Sequence, residues 1–324
     1  MANESYKPWL HRWAMLTTLV ALLPISVGAV VTTVDAGMAF PDWPTSDGHN
    51  MLFYPWFTSV GEQFLEHGHR LAGMVIGVFC IVVACLVAKL ETRRWVRGLG
   101  YLILAGVIAQ GVLGGLRVLV DARVLALVHG FAAALFISMV AALAVITSRR
   151  WSNTSDLIQQ TQNSRVNVGT LKKLITATVV LLLIQYVLGG MIRHLGLGLH
   201  GHIGVAILAG LASLVTVTGV YRSGLTWLRR AAHGLLSFVL VQIGLGISAW
   251  ITKFGLASIG YVAIYGSPTQ VFFRSAHQVC GVLLVTMAVV MLVRASRMAW
   301  LTTVATPVDA DASAFSSTAT GGVG

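Results

Sequence analysis

A carboxylate, two imidazoles and a guanidinium lie together at the start of a long apolar segment, in the run Glu66-His67-Gly68-His69-Arg70. If this segment is helical, Glu66, His69 and Arg70 are at positions i, i+3 and i+4 and share one face. Ionisable groups next to hydrocarbon are costly, and they usually mark a buried site with a partner. The run therefore predicts a site in which an acid lies beside a metal-ligating side chain.

A second run, Leu199-His200-Gly201-His202, repeats the His-Gly-His pattern without the acid or the arginine. The position of Glu66 is taken here by Leu199. None of the 11 acidic residues lies between Leu157 and Val308. The sequence therefore predicts one half equipped for chemistry and one half equipped only for ligation.

The elements that position these residues are predicted to be transmembrane helices. Of the 324 residues, 56% are hydrophobic and 10% are charged, with a mean hydropathy of +0.81, whereas a soluble domain carries about 25% charged residues. Eight segments approach the roughly 20 apolar residues that a helix needs to cross a bilayer. They are 14–34, 65–89, 98–118, 124–147, 172–192, 199–221, 229–251 and 272–296. The fold class predicted is an all-α membrane protein with eight transmembrane helices.

The basic residues predict the orientation of these spans. Most of the 22 lysines and arginines fall in loops on one side when the N-terminus is placed in the cytoplasm. We therefore expect a multi-pass protein of the cell inner (cytoplasmic) membrane with both termini cytoplasmic and lipid around it. The net charge of +11 is spread over short loops rather than along one face, so nucleic acid is not expected as a partner.

Spans 1–4 and 5–8 resemble two copies of one unit. His69 and His202 lie near the outer ends of spans 2 and 6, and His129 and His277 near the outer ends of spans 4 and 8. We expect a tandem repeat of two four-helix bundles. The predicted division is a bundle at 1–150, a cytoplasmic linker at 151–171, a second bundle at 172–300 and a disordered tail at 301–324.

The four histidines predict two haem sites. Imidazole is a common axial ligand of haem iron, and two histidines from neighbouring helices in each bundle would hold one iron. A lone membrane histidine is as often a packing residue, but four at matched depth are harder to explain in that way. His67 and His200 are treated as flanking residues rather than ligands. His194, at the outer edge, is a candidate to meet a haem propionate.

Arginines are scarce on the outer side, and those present cluster at outer helix ends at the depth of the histidines. Arginine pairs bidentately with carboxylates such as haem propionates. Snorkelling towards lipid headgroups is the competing explanation and is given equal weight. The candidates, of which the first two are favoured, are Arg70, Arg193, Arg117, Arg274 and Arg123.

Three odd-numbered spans share a further pattern. The motif Gln-x-x-Leu-Gly begins at Gln110, Gln185 and Gln242. Small residues let backbones approach one another or a flat cofactor, and plain helix packing explains each glycine at least as well.

The three cysteines, Cys80, Cys85 and Cys280, lie in apolar runs without zinc-site spacing, so they are predicted to be packing residues.

Glu66 is the residue that distinguishes the halves. A partly buried carboxylate near a haem can move protons or stabilise a cationic intermediate, while a salt bridge with Arg70 is the competing role. An acid in one half only favours an enzyme over a di-haem b-type membrane electron carrier. A haem-binding assembly factor, transporter or chaperone would be expected to have more open or polar spans.

The sequence resembles the haem A synthase family over all eight spans. Three features carry the resemblance: the motif Glu66-x-x-His69-Arg70, the loop Gly37-Met38-x-x-Pro41-Asp42-Trp43-Pro44 and the paired histidines on even-numbered spans. The resemblance implies oxidation of the C8 methyl of haem O to a formyl group, giving haem A for cytochrome oxidase. It also implies His69 and His129 at the iron of the substrate haem, with Glu66 as the catalytic acid. His202 and His277 would then hold a haem b cofactor that relays electrons.

One feature departs from that family. Many members have a cysteine pair in the first outer loop, whereas this loop reads Ala39-Phe40-Pro41-Asp42-Trp43-Pro44-Thr45-Ser46. A loop disulfide is therefore excluded, and the chain resembles a cysteine-free subtype. The resemblance leaves haem O synthase and an electron donor such as a quinol or ferredoxin as candidate partners.

Overall fold

The computed structural model describes residues 6–318, with side chains described up to Val304. Within that range the regular structure is α-helix, with two short 3₁₀ turns and two isolated β-bridges in loops. The helices are α1 Pro8–Val20, α2 Leu22–Thr33, α3 Gly61–Leu90, α4 Arg94–Leu119, α5 Arg123–Ile146, α6 Arg149–Ser152, α7 Thr154–Gln162, α8 Val168–Leu195, α9 Leu199–Ser223, α10 Thr226–Phe254 and α11 Pro268–Thr318. The all-α prediction is confirmed.

Eight helical segments in the described part of the chain are long and apolar enough to cross a membrane. They are Pro8–Thr33, Gly61–Leu90, Arg94–Leu119, Arg123–Ile146, Val168–Leu195, Leu199–Ser223, Thr226–Phe254 and Pro268–Val304. Each contains one predicted span almost completely, and most extend further at both ends. The chain is a multi-pass membrane protein; the identity of the membrane and the side of the termini stay predictions.

The first span is divided into α1 and α2 at Ala21. The cause is Pro24, because a proline inside a helix has no backbone N–H to donate and its ring clashes with the carbonyl four residues earlier, here that of Val20. The break leaves the outer half of the span, α2, with its own orientation towards α3. Gly28, which lies against one of the histidines of the site, is on this outer half.

The helices pack into two rings of four spans. The first span, α3, α4 and α5 contact one another in sequence and close the first ring, and α8, α9, α10 and α11 close the second. Contacts of α11 with α2 and α5, and of α5 with α8, join the rings. This packing matches the predicted pair of four-helix bundles, whereas their origin as copies of one unit and the domain limits stay predictions.

Helices α5 and α11 form the seam between the rings. The second half of α5, from Phe136 to Ile146, is buried on almost every side, and a helix that is apolar all round belongs in an interior. Ser138 of α5 and Thr286 of α11 bring their hydroxyl oxygens within 3.4 Å of each other. The seam therefore places α5 and α11, which carry His129 and His277, back to back.

The segments outside the two rings are the linker and the tail. The predicted linker contains α6 and α7, and α7 packs on α11. Asn153 caps α7 by accepting from the backbone N–H of Asp156. The backbone of α11 continues into the tail predicted at 301–324, but the side chains from 305 and all of 319–324 lie outside the described residues, so the tail stays a prediction.

The three cysteines are free, and Cys80 and Cys280 are buried within α3 and α11. The positions of Cys80 and Cys280 agree with the predicted packing role, whereas Cys85 is exposed on α3 and does not pack inside the protein.

Candidate functional site

The structure brings the four predicted histidines together in two pairs, in each of which the ring planes are nearly perpendicular. The ring centroids of His69 on α3 and His129 on α5 are 6.3 Å apart, with the ring planes at 82°. Those of His202 on α9 and His277 on α11 are 6.2 Å apart, at 77°. Each pair thus has the same spacing and nearly the same mutual orientation, one pair in each ring of helices.

Each of the four imidazoles rests on a glycine of the preceding span. A Cβ added to that glycine would lie 2.8 to 3.3 Å from the Cε1 atom of the histidine. The pairs are Gly28 with His69, Gly114 with His129, Gly189 with His202 and Gly246 with His277. Only glycine leaves room for the ring at this distance, so the glycines set how far each imidazole can retreat from its partner.

For three of the four glycines, the residue four positions earlier also contacts the histidine. For His69 it is Pro24, whose carbonyl oxygen lies 3.1 Å from Nδ1 of the ring. An Nδ1–H donated to a carbonyl fixes the ring and leaves Nε2 free as a ligand. In the second ring of helices it is Gln185 and Gln242, whose Nε2 atoms lie 3.3 and 3.5 Å from Nε2 of His202 and His277.

The spacing of the pairs fits two axial ligands of one metal ion. A metal–imidazole bond is about 2.0–2.1 Å and the ring centre lies about 1.1 Å behind the nitrogen, so two imidazoles on opposite faces of one iron put their centroids about 6.2 Å apart. No group of three or more His, Cys, Asp or Glu side chains that could hold a metal ion occurs among the described residues. The donor set therefore fits a metal that needs two protein ligands, as haem iron does, better than a protein-only metal site.

Glu66 is buried one turn before His69, with 5% of its side chain exposed. Its Oε1 pairs with Nη2 of Arg70 at 2.7 Å. Its Oε2 accepts the backbone N–H groups of Ala39 at 2.7 Å and Phe40 at 3.2 Å. The salt bridge considered as the competing role is present, and the carboxylate also holds the outer loop against α3.

Arg70 is enclosed by the same loop. Nη1 donates to the carbonyl oxygens of Asp42 at 3.0 Å and Thr45 at 2.6 Å, and the guanidinium lies over the ring of Phe40, 5.2 Å from its centroid. Its donors thus serve the loop, and a role for Arg70 towards a propionate stays a prediction. Neighbouring His67 is buried, with Nδ1 3.0 Å from the hydroxyl of Ser46, so it serves the loop rather than the histidine pair.

The outer loop is also braced from α4 and by its own turn. Arg117 donates to the carbonyl oxygen of Gly37 at 3.0 Å, and the Trp43 ring lies directly on Gly115. Asp42 accepts the backbone N–H groups of Asp47 and Gly48, each at 2.9 Å. Burial raises the pKa of Asp42, but hydrogen bonds from these groups and from the Thr45 side chain outweigh burial and lower this pKa to about 2.

Arg193 reaches across the seam. Its Nη2 donates to the carbonyl oxygen of Ala29 and, at 2.6 Å, to Oγ1 of Thr33, and Ser275 donates to the same two acceptors at 3.2 and 3.0 Å. We call these four residues the interhalf clasp. It joins the segment next to Gly28 to α8 and α11. The remaining predicted propionate ligands are close by, since Arg274 and His194 are electrostatic neighbours of Arg193.

The clasp, the glycine contacts and Pro24 were not predicted from the sequence as parts of the site. The sequence does contain a signal for the glycine contacts, because each of the four glycines follows a proline or glutamine by four residues. The pairs are Pro24 and Gly28, Gln110 and Gly114, Gln185 and Gly189, and Gln242 and Gly246. The proline replaces the glutamine in the first span, so the shared motif did not include it. Tyr186, which donates to the carbonyl oxygen of Gly130 at 3.3 Å beside His129, carried no such signal. His200 is exposed, apart from the second pair.

Fold and site together define a multi-pass α-helical membrane protein with two partly buried histidine pairs. The family model for cytochrome oxidase assembly proteins, COX15-CtaA, matches residues 11–202. This is more than half of the chain, and the chain belongs to that family. The match includes Glu66 and three of the four paired histidines.

Curated relatives carry a more specific name. A protein of Listeria monocytogenes named heme A synthase is 31% identical over 140 residues, which are 42% of this chain and 44% of the relative. A heme A synthase of Paracoccus denitrificans is 31% identical over 116 residues, covering 33% and 30% of the two chains. One of Cereibacter sphaeroides is 29% identical over 122 residues, covering 32% and 31%. The chain covers less than half the length of these relatives.

Proposed function

We propose that this protein is a haem A synthase, which oxidises the C8 methyl of haem O to a formyl group and so supplies haem A for cytochrome oxidase. The proposal rests on a difference between the two histidine pairs. Their ring centroids have nearly the same spacing, 6.3 and 6.2 Å, but only the first pair has a buried carboxylate one helical turn away. The relatives named heme A synthase support it.

In this proposal the two pairs have different occupants. His69 and His129 hold the iron of haem O, the substrate, and His202 and His277 hold haem b. When bound, haem b supplies one-electron chemistry between an external donor and the first site. The glycines behind the four rings keep each imidazole at ligating distance, and the carbonyl oxygen of Pro24 keeps Nε2 of His69 directed at the iron.

Glu66 is the acid–base group of the proposal. Each hydroxylation of the methyl group that uses O2 and two electrons from the external donor also takes up two protons and releases one water, and the Glu66 carboxylate is positioned beside the first pair to pass on these protons. Hydrogen bonds from Ala39, Phe40 and Arg70 hold both carboxylate oxygens in place. The outer loop that supplies two of these donors also covers the outer side of the site and excludes water.

Arginine and histidine side chains at the outer ends of the helices bind propionates in this proposal. They are Arg117, Arg193, His194 and Arg274, with Arg70 acting through the loop. This end of the site faces away from the cytoplasm, since both termini are proposed to be cytoplasmic and the membrane to be the inner membrane. Haem O synthase is the proposed source of substrate, and a quinol or ferredoxin the proposed electron donor.

The test is haem extraction from a host that makes haem O and expresses this chain. Haem A, or its hydroxylated precursor, is expected in the wild-type extract and is expected to disappear with Glu66→Gln. Glu62→Gln is the matched control, because Glu62 is an exposed carboxylate one turn earlier on α3. Absence of any new haem species from the wild-type extract would refute the proposed function.

A di-haem electron carrier is the second candidate. The observation that favours it is that Glu66 is fully engaged by Arg70 and the loop, as a purely structural carboxylate would be. In that case the purified protein would contain haem b in both sites, and Glu66→Gln would change the stability of the loop without changing the haem composition.

A further inference from the structure

Gln110 is a buried amide that the chain itself leaves without partners. Both its Nε2 and its Oε1 are shielded from solvent and make no hydrogen bond. Among the side chains that the structure describes, it is the one whose buried donor and buried acceptor are both unsatisfied. A buried polar group without a partner is costly, so such a group in a native protein calls for an explanation.

The equivalent amides of the second ring of helices are in a different state. Gln185 and Gln242 also lie four residues before a glycine that supports a histidine, and their Nε2 atoms lie 3.3 and 3.5 Å from the imidazole nitrogens of His202 and His277. In the second half the same motif therefore brings the amide donor to an imidazole, while Oε1 of both amides has no partner. In the first half it presents a free donor and a free acceptor.

The position of Gln110 relative to the first pair follows from α4. Gln110, Gly114 and Arg117 are at positions i, i+4 and i+7, so they share one face of the helix and extend over about 10 Å along its axis, which is close to the width of a porphyrin. Gly114 supports His129, and Arg117 lies near the outer end of α4 beside the loop. The amide is thus one turn deeper in the membrane than the histidines, and the guanidinium is on their outer side.

The paired imidazoles belong to helices on opposite sides of one ring, so the line between them runs across the helices rather than along them. The plane of a porphyrin held between them therefore stands parallel to the helices. Its carboxylate edge is attracted to the outer side by Arg117, and its opposite edge is then at the depth of Gln110.

We propose that Gln110 is a specificity-determining residue that hydrogen-bonds the side-chain hydroxyl by which haem O differs from haem b. This inference rests on the proposed function. In haem O a hydroxyalkyl chain with an isoprenoid tail replaces one vinyl group of haem b, on the edge away from the propionates. A hydroxyl can donate to Oε1 and accept from Nε2, whereas a vinyl group leaves both amide atoms unpaired.

The first site thereby selects haem O over haem b. A site built to bond a hydroxyl strongly disfavours the analogue that lacks it, because its own buried polar groups are then left unsatisfied.

The test is a titration of the full-length protein, purified from haem-deficient cells, with haem O and with haem b. The His277→Ala background leaves only the first pair complete, so that absorbance of the six-coordinate haem reports that site. Gln110→Met, which keeps the length of the side chain, is expected to weaken haem O binding roughly tenfold. Haem b binding is expected to stay within about twofold or to strengthen, because methionine removes the amide that haem b leaves unpaired. Gln185→Met is the matched control and is expected to leave the ratio of the two dissociation constants unchanged.

Three outcomes would overturn the inference: equal weakening of both haems by Gln110→Met, unchanged haem O affinity, or no preference for haem O in the protein with Gln110 intact. Unchanged or stronger haem b affinity shows that the Gln110→Met protein is folded. Haem A formation in whole cells reports the proposed function separately. If haem A forms but Gln110→Met does not alter selectivity, only the role of Gln110 is refuted.

Discussion

Alanine at the four glycines behind the histidines provides a graded test of the site. An added Cβ would lie 2.8 Å from Cε1 of His69 at Gly28 and 3.3 Å from that of His129 at Gly114, where 3.4 Å begins ordinary contact. The imidazole must then move away from the added Cβ by about 0.6 Å in the first case and about 0.1 Å in the second. Metal–ligand distances tolerate about 0.2 Å, so only the first displacement exceeds what a metal–nitrogen bond accepts.

We therefore expect Gly28→Ala to lose six-coordinate haem at the first pair and Gly114→Ala to keep it. At Gly246 and Gly189 the added Cβ would lie 3.0 and 3.1 Å from Cε1 of the histidine. Alanine at either position should weaken haem retention at the second pair roughly tenfold, which is the smallest loss usual when a group that supports a metal ligand is mutated. The assay is haem content and the low-spin absorption and electron paramagnetic resonance signals of the purified protein.

The matched controls are Gly111→Ala on α4 and Gly244→Ala on α10, because an added Cβ at either position meets nothing within 4 Å. Alanine also has a higher helix propensity than glycine by about 1 kcal/mol, so these two variants should fold at least as well as the parent. Retention of both low-spin signals by Gly28→Ala, or loss of either signal in a control, would refute the assignment of the pairs as ligands.

Two further predictions concern the supports of the site. Thr33→Val removes a hydroxyl that accepts two hydrogen bonds in the interhalf clasp, and we expect it to lower the stability measured by thermal unfolding in detergent by about 1–3 kcal/mol. The control is Thr18→Val, which should cost less because the Thr18 hydroxyl bonds only its own helix. Equal effects of the two substitutions would argue against the clasp. Because the pKa of Asp42 is depressed from 3.8 to about 2, its contribution to loop stability is complete above pH 4 and is lost as the pH falls towards 2. Trp43 fluorescence should show that loss in the parent and not in Asp42→Asn, whereas Asp47→Asn should retain it.

The sequence was sufficient for the membrane spans and the pairing of histidines, because both depend on strong periodic signals. Runs of about 20 apolar residues are unambiguous, and an imidazole in such a run is conspicuous. It was insufficient for the contacts of Glu66 and Arg70 with the outer loop. Those contacts involve backbone groups of Ala39 to Thr45. Every residue has backbone groups, so the residue types in the loop do not predict the contacts.

The interhalf clasp was hidden for a similar reason. Arg193 was recognised as an unusual outer arginine, but its acceptors are a carbonyl and a threonine hydroxyl on another helix, and these depend on how the two rings meet. The glycines were recognised as a motif in three spans and missed in the first, because Pro24 stands where the others have glutamine. Gly28 could be assigned only when its distance to His69 was known.

The seam formed by α5 and α11 determines which helix of each histidine pair can move when the distance between the two imidazoles changes. Each pair has one imidazole on a seam helix, His129 or His277, and one on a peripheral helix, α3 or α9, whose principal packing partners belong to its own ring. The buried seam helices are held by neighbours from both rings, so widening of a gap is accommodated by tilting of the peripheral helix. Under the proposed function, one pair would thereby open to exchange its porphyrin while the other stays clamped, as one resident haem and one substrate haem require.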